Sequence, residues 1–131
     1  FLSDDPMKAL MHGPTYMAHA LGCAAANASL DLFEQHDRLA DAARISRQLE
    51  AELAPCRALK GVKDVRVLGA IGVVELTDGS DIEALKPMFV DAGVWVRPFR
   101  NIVYLTPALT ISEDDLSVLT GAICRVLREA L

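Results

Sequence analysis

Apolar residues recur in steps of three and four at Leu39, Ala42, Ile45, Leu49 and Leu53, the period of a helix that buries one face. Arg44, Arg47, Glu50 and Glu52 fall mostly elsewhere, so the pattern predicts a helix from about Asp37 to Cys56 with a wet outer side. The period then shortens: "VKDVRVLG" interleaves Val62, Val65 and Val67 with polar residues, and "AIGVVEL" gives a second β-rich run from Ala70 to Leu76. Gly69 and Gly72 predict a bend or bulge between or within these strands. Asp78-Gly79 closes the pair, and Ser80 with Glu83 has the capping-box spacing that opens a helix. Its inner stripe is Ile82, Leu85, Phe89 and Ala92, and Gly93 stops it. Pro87 removes one intrahelical bond and crowds the preceding turn, so a kink or an early break is expected there. "VWVRPF" and "IVYLTP" predict two further strands joined through Arg100-Asn101. The last helix is "SEDDLSVLTGAICRVLREAL", capped by Ser112 with Asp115 and apolar at Leu116, Leu119, Ile123, Val126 and Leu127.

Ahead of these elements, the alanine-rich stretch from Thr15 to about Phe33 predicts another helix. Its small residues Ala18, Gly22, Ala25, Ala26 and Ser29 would let a second backbone approach closely. The order is helix, helix, strand, strand, helix, strand, strand, helix. Helices gathered around a small sheet predict an α+β layer from about Asp37 onward, which the alanine-rich first helix is poorly suited to anchor.

With 131 residues, 52% of them hydrophobic, the chain can bury one core of its own. A net charge of -5 without any Lys/Arg cluster argues against nucleic acid as a partner, because phosphate backbones require a basic surface. The uncharged run from Ala9 to Leu30 is about as long as a bilayer span. Gly13-Pro14 interrupts it and His, Asn and Ser make it polar, so no membrane segment is expected. Cys23, Cys56 and Cys124 are odd in number and lack CxxC spacing, which indicates neither a disulfide framework nor a zinc site and fits a reducing cytoplasm. Starting at Phe1 without the basic and apolar regions of a signal peptide, the chain reads as a piece of something longer.

Two places offer chemistry. In Gly13-Pro14-Thr15, glycine permits positive φ, proline fixes a helix-entry φ, and threonine brings a hydroxyl and an amide to the start of the following helix. Such a loop is either a plain turn with an N-cap or an anion cradle, since first-turn amides hold phosphate without any lysine. Strand alternation puts Arg97 on the side of Trp95, opposite Val94 and Val96. Its guanidinium either pairs with a surface carboxylate or grips the carboxylate of a ligand through two parallel hydrogen bonds. Tyr104, on the face of Ile102, supports that pocket or is a core tyrosine. His12 and His19 have no metal-spaced partners and read as a turn histidine and an interface histidine. Glu113-Asp114-Asp115 is first-turn charge that favours a helix dipole.

The segments "MHGPTYMAHALGCAAANASLDLF", "DVRVLGAIGVVEL" and "GVWVRPFRNIVYLTPALTIS", in this order and covering nearly all of the chain, resemble the C-terminal portion of class III, fold-type-I pyridoxal-phosphate aminotransferases. The resemblance implies that residues 36–131 form the C-terminal small α+β domain, a small, mainly antiparallel sheet packed with helices. Residues 1–35 would be a segment of the large domain carrying the cofactor-phosphate loop and an interface helix. It further implies that Pro14 and Thr15 hold the phosphate of pyridoxal phosphate in the site of a homodimer partner subunit, that Gly13 lies beside the substrate, and that Arg97 binds the substrate's far carboxylate. Within the family the likeness is greatest to cytoplasmic enzymes of biotin biosynthesis that pass an amino group from S-adenosylmethionine to 8-amino-7-oxononanoate, giving 7,8-diaminononanoate. Where the family usually carries Asn-Pro-Leu, this chain has His19-Ala20-Leu21, and Pro87 and Arg100 are departures too. None of Lys8, Lys60, Lys63 and Lys86 stands in the setting of the family's cofactor-bonding lysine, which belongs upstream of Phe1, so the chain alone is expected to be inactive. The alternative is a stand-alone α+β module that binds a small acid or regulates, without cofactor. An exposed small-residue helix ahead of the core would serve such a module little.

Overall fold

Asp37 accepts the Ala40 amide hydrogen through Oδ1 at 2.9 Å, and this cap launches α2 (Arg38–Leu53), which follows α1 (Ala20–Gln35). The computed structural model describes residues 4–8, 13–77 and 80–131; His12 and the Asp78-Gly79 turn lie outside them. The chain divides into two compact units, Phe1–His36 and Asp37–Leu131.

In the second unit, α2 runs into a short 3₁₀ turn, Ala54–Ala58, then β1 (Val62–Leu68), β2 (Ile71–Leu76), α3 (Ile82–Asp91), β3 (Ile102–Leu105) and α4 (Glu113–Ala130). The sheet is antiparallel in the order β1-β2-β3. Gly69, at φ +55°, makes the tight turn into β2. The bulge lies instead between Val62 and Asp64. Gly72 sits in regular pairing with Val67 and Leu105. Its lack of a side chain serves packing: a Cβ there would stand 3.0 Å from Leu53 and 3.3 Å from Leu49 on α2, so glycine lets the helix close on the sheet.

The core joins Ile45, Leu49 and Leu53 of α2, Val74 and Leu76 of β2, Leu85 and Phe89 of α3, and Leu116, Ile123 and Leu127 of α4. Leu39, expected on the inner stripe of α2, is 79% exposed, whereas Ile45, Leu49 and Leu53 are buried. Thr120, which an apolar stripe does not flag, is buried and donates its hydroxyl hydrogen to Glu52. Burial pushes the Glu52 carboxyl up, but bonds from Thr120, Ser117 and Gln48 outweigh it and hold the group below its ordinary value. This network ties α2 to α4.

Several local expectations are corrected. Ser80 does not cap α3: its hydroxyl donates to the Thr77 carbonyl at 2.9 Å, and Asp81 Oδ1 accepts the Ala84 amide at 3.1 Å. Glu83, the other half of the expected box, pairs with Lys86 at 2.6 Å. Pro87 neither ends nor splits the helix, which continues to Asp91. Pro87 is exposed, only the Glu83 carbonyl loses its partner, and burial of Leu85 and Phe89 on either side holds the turn. The helix closes as a Schellman motif, with the amides of Gly93 and Val94 bonded to the carbonyls of Val90 and Phe89 at 2.9 and 3.0 Å and Gly93 at φ +81°. Residues 94–98 are not a ladder strand. Val94, Val96 and Pro98 are buried and Trp95 and Arg97 exposed, as alternation requires, yet pairing begins only with the Phe99–Ile102 bridge.

On the outer face, Glu75 meets Lys63 at 2.7 Å and Arg66 at 2.6 Å. Bonds from Lys63 and then Arg66 pull its carboxyl from 4.5 down to about 2. A depressed carboxyl stabilises the fold above its unfolded value and stops doing so as pH falls through its folded one. Glu75→Gln is therefore expected to lower the urea midpoint at pH 7, with the two proteins converging as pH falls from about 4.5 to 2. Curves that stay parallel would show that the cluster does not stabilise the sheet.

Candidate functional site

The segment 94–99 positions the arginine singled out above. Val94 and Val96 are anchored in the core, so Trp95 and Arg97 must both point outward. The guanidinium carbon of Arg97 lies 5.5 Å from the centre of the Trp95 ring, a distance at which the aromatic face attracts and orients the cation. Among the described residues no Asp or Glu forms an ion pair with Arg97. The surface-pair reading therefore finds no partner there. An open cleft of about 290 Å³ adjoins the guanidinium, lined by Trp95, Arg97, Tyr104, Thr106, Pro107 and Leu119. Tyr104 is half-buried on the Ile102 face of β3. Thr106 and Pro107, just beyond β3, carried no signal in the sequence.

The turn that follows holds Arg100 at φ +53°, a costly conformation for a residue with a Cβ. Phe99 and Ile102 exchange both backbone bonds at 2.9 Å across it, and the Arg100 guanidinium lies 5.4 Å from the Phe99 ring centre. Backbone pairing and this stacking hold the turn.

The Gly13-Pro14-Thr15 loop belongs to the first unit and differs from expectation. Thr15 does not open a helix: the Pro14 carbonyl accepts the Met17 amide at 3.0 Å, the Tyr16 carbonyl accepts the His19 amide at 3.2 Å, and α1 begins only at Ala20. Tyr16 and Ala18 take positive φ, 63° and 53°, which no helix permits. His19 is the N-cap, its Nδ1 accepting the Gly22 amide at 3.0 Å. Gly13, Pro14 and Thr15 are exposed, and a Cβ on Gly13 would meet nothing within 4 Å. Among the described residues neither the hydroxyl nor the amide of Thr15 has a bonded partner. The helix dipole acts at residues 20–22 rather than at Thr15. No residue of α1 is buried, and Leu21, Leu30 and Phe33 stand exposed on it.

Cys56 and Cys124, unrelated by spacing, are brought together with 3.0 Å between their sulfurs. Cys23 is exposed and lies in the other unit.

Residues 2–127 match the sequence model of the family described as aminotransferase class-III. The chain belongs to the class-III aminotransferase family. It is 44% identical over 114 residues to the adenosylmethionine-8-amino-7-oxononanoate aminotransferase of Corynebacterium glutamicum, an alignment that covers 86% of this chain and 27% of that protein. The crystal structure of the enzyme of that name from Methanocaldococcus jannaschii superposes with a TM-score of 0.81 at 27% identity, over 99% of this chain and 32% of its own. An amine transaminase from an uncultivated Pseudomonas species, solved in its PLP-bound form, gives 0.80 at 30% identity, over 93% and 30%. The chain thus spans about 30% of the length of these relatives. The α+β arrangement around a small antiparallel sheet is shared with these fold-type-I transaminases. Family membership along nearly the whole chain tells against a free-standing module of another class. Among the described residues, no helix is long and apolar enough to cross a membrane.

Proposed function

We propose that this chain is the C-terminal part of a cytoplasmic, homodimeric aminotransferase of biotin biosynthesis that transfers the amino group of S-adenosylmethionine to 8-amino-7-oxononanoate. The observation that carries this reading is Arg97: a guanidinium braced on Trp95 at the mouth of an open cleft, with no protein carboxylate paired to it among the described residues. The acceptor's far carboxylate matches it in charge and in the geometry of two parallel bonds. Residues 36–131 form the small domain in this reading, and residues 1–35 are the large-domain segment. Pro14 and Thr15 hold the cofactor phosphate for the partner subunit through the Thr15 hydroxyl and amide, and Gly13 leaves room for substrate beside them. Pyridoxal phosphate, when bound, supplies the electron sink that carries the amino group between the two substrates.

This chain supplies binding rather than bond making. Covalent attachment of the cofactor needs a neutral, shielded lysine, whereas Lys8, Lys60, Lys63 and Lys86 are all exposed, with Lys63 and Lys86 paired to Glu75 and Glu83. The test is amino transfer from S-adenosylmethionine to 8-amino-7-oxononanoate, measured with the full-length protein and with residues 1–131 alone. Turnover by the first and none by the second is expected. A full-length protein that rejects this acceptor but turns over others would overturn the assignment.

Trp95 should act through Arg97. Trp95→Ala is expected to weaken acceptor binding by about 2–5-fold, the worth of an exposed cation–aromatic contact, whereas Trp95→Phe keeps most of it. Calorimetric titration of the full-length variants separates the two.

A further inference from the structure

Cys56 and Cys124 are 68 residues apart in sequence, yet their sulfurs lie 3.0 Å from one another. Cys56 sits in the 3₁₀ turn after α2, 1% exposed, and Cys124 lies half-buried on α4, its sulfur 3.4 Å from the Glu52 carbonyl oxygen. A disulfide needs roughly 2.05 Å between sulfurs, so closing the remaining distance takes a shift of about one ångström. We propose that Cys56 and Cys124 are a thiol modification site, a pair that a hydroperoxide converts into a reversible intrachain disulfide.

The electrostatics favour one sulfur as the attacking group. Either sulfur can donate in the Cys56–Cys124 bond; that bond, opposed by burial and helped by the Arg128 charge, lowers the Cys124 thiol even with Glu52 nearby. The same bond, with burial, pushes Cys56 up. Of the two sulfurs, the half-buried Cys124 is therefore the better placed to react as a thiolate, the form that attacks an oxidant.

The chemistry balances with hydrogen peroxide as oxidant. The Cys124 thiolate attacks one peroxide oxygen, the O–O bond breaks, and the departing hydroxide takes a proton to leave as water, with a sulfenic acid on Cys124. The Cys56 sulfur then attacks the Cys124 sulfur as its own proton departs, and the S–O bond breaks with loss of a second water. Two thiols and one peroxide give one disulfide and two waters. The new bond would tie the end of α2 to α4 and close a loop containing the whole sheet and α3. A cross-link over so long a loop restricts the unfolded chain.

The test uses the chain carrying Cys23→Ser, so that the exposed third thiol does not compete. After treatment with a stoichiometric amount of hydrogen peroxide, unfolding and alkylation, a mass loss of about 2 Da with neither cysteine alkylated is expected, restored by dithiothreitol. The thermal midpoint of the oxidised form should rise by roughly 10–25 °C. Adding Cys124→Ser should leave Cys56 fully alkylable after the same exposure, because the buried thiol is not attacked directly. Two alkylable cysteines after treatment would overturn the proposal. So would a gain of about 32 Da on Cys124 beside an intact Cys56.

Discussion

Under the proposed function, Arg97→Ala, made in the full-length enzyme, is expected to raise KM for 8-amino-7-oxononanoate by about 10²–10³-fold while leaving kcat within a few-fold of wild type. Two charge-assisted hydrogen bonds to a carboxylate contribute about 3–4 kcal/mol together, and each 1.4 kcal/mol is about tenfold in affinity. The far carboxylate does not change during amino transfer, so its contact is equally strong in the ground and transition states, and losing it falls on KM. Arg97→Lys keeps the charge but not the planar fork and should recover about tenfold. A methyl ester of the acceptor should bind wild type and Arg97→Ala about equally. The fold is not at risk: Arg97 is exposed, and its ring contact is with the equally exposed Trp95. A fall in kcat at unchanged KM would instead place Arg97 at the reacting centre.

How much of this was legible in the sequence depends on how local each signal is. Ser112 with Asp115 marks the start of α4 because a cap is settled within one turn, and the stripe Leu116, Ile123, Val126 and Leu127 finds its core. The outward placement of Trp95 and Arg97 was legible from alternation alone, since it needs only an extended backbone with one buried side. The missing ladder in 94–98 was not, because a hydrogen-bond partner is a tertiary fact and the pattern of side chains is the same with or without it. Alanine content misplaced the start of α1: propensity favours helix through Tyr16 and Ala18, but no face of this helix is buried in the unit, so packing adds nothing there. A finer signal existed in His19-Ala20-Leu21, which departs from the Asn-Pro-Leu that the family resemblance leads one to expect. Asparagine is a strong N-cap and proline suits the first helical position. His19 Nδ1 fills the capping role with a ring nitrogen. The contact of Cys56 with Cys124 had no sequence signal, because chain separation carries no information about which turn meets which helix.

Phe89→Ala is expected to cost about 3–5 kcal/mol and to lower the thermal midpoint of the small unit by roughly 15–30 °C. Phe89 is fully buried and heads the largest such side chains of the unit. A unit of this size has a net stability of only about 5–15 kcal/mol, so about a fifth or more of it would disappear. Relaxation is restricted on both sides. The Phe89 carbonyl receives the Val94 amide at 3.0 Å in the motif that ends α3, and Pro87, two residues earlier, already leaves one backbone bond unmade. The surroundings cannot collapse into the cavity without shifting Val94, and Val94 begins the segment that carries Arg97. Phe89→Ala should therefore weaken acceptor binding indirectly, by depopulating the folded unit, and binding should recover on cooling to well below the new midpoint. Arg97→Ala should show no such recovery, because its loss is a missing contact in a folded protein. Urea midpoints and acceptor affinity measured for both variants at two temperatures separate the two causes. A stability loss below about 1 kcal/mol for Phe89→Ala would mean that α3 does not hold the Arg97 segment in place.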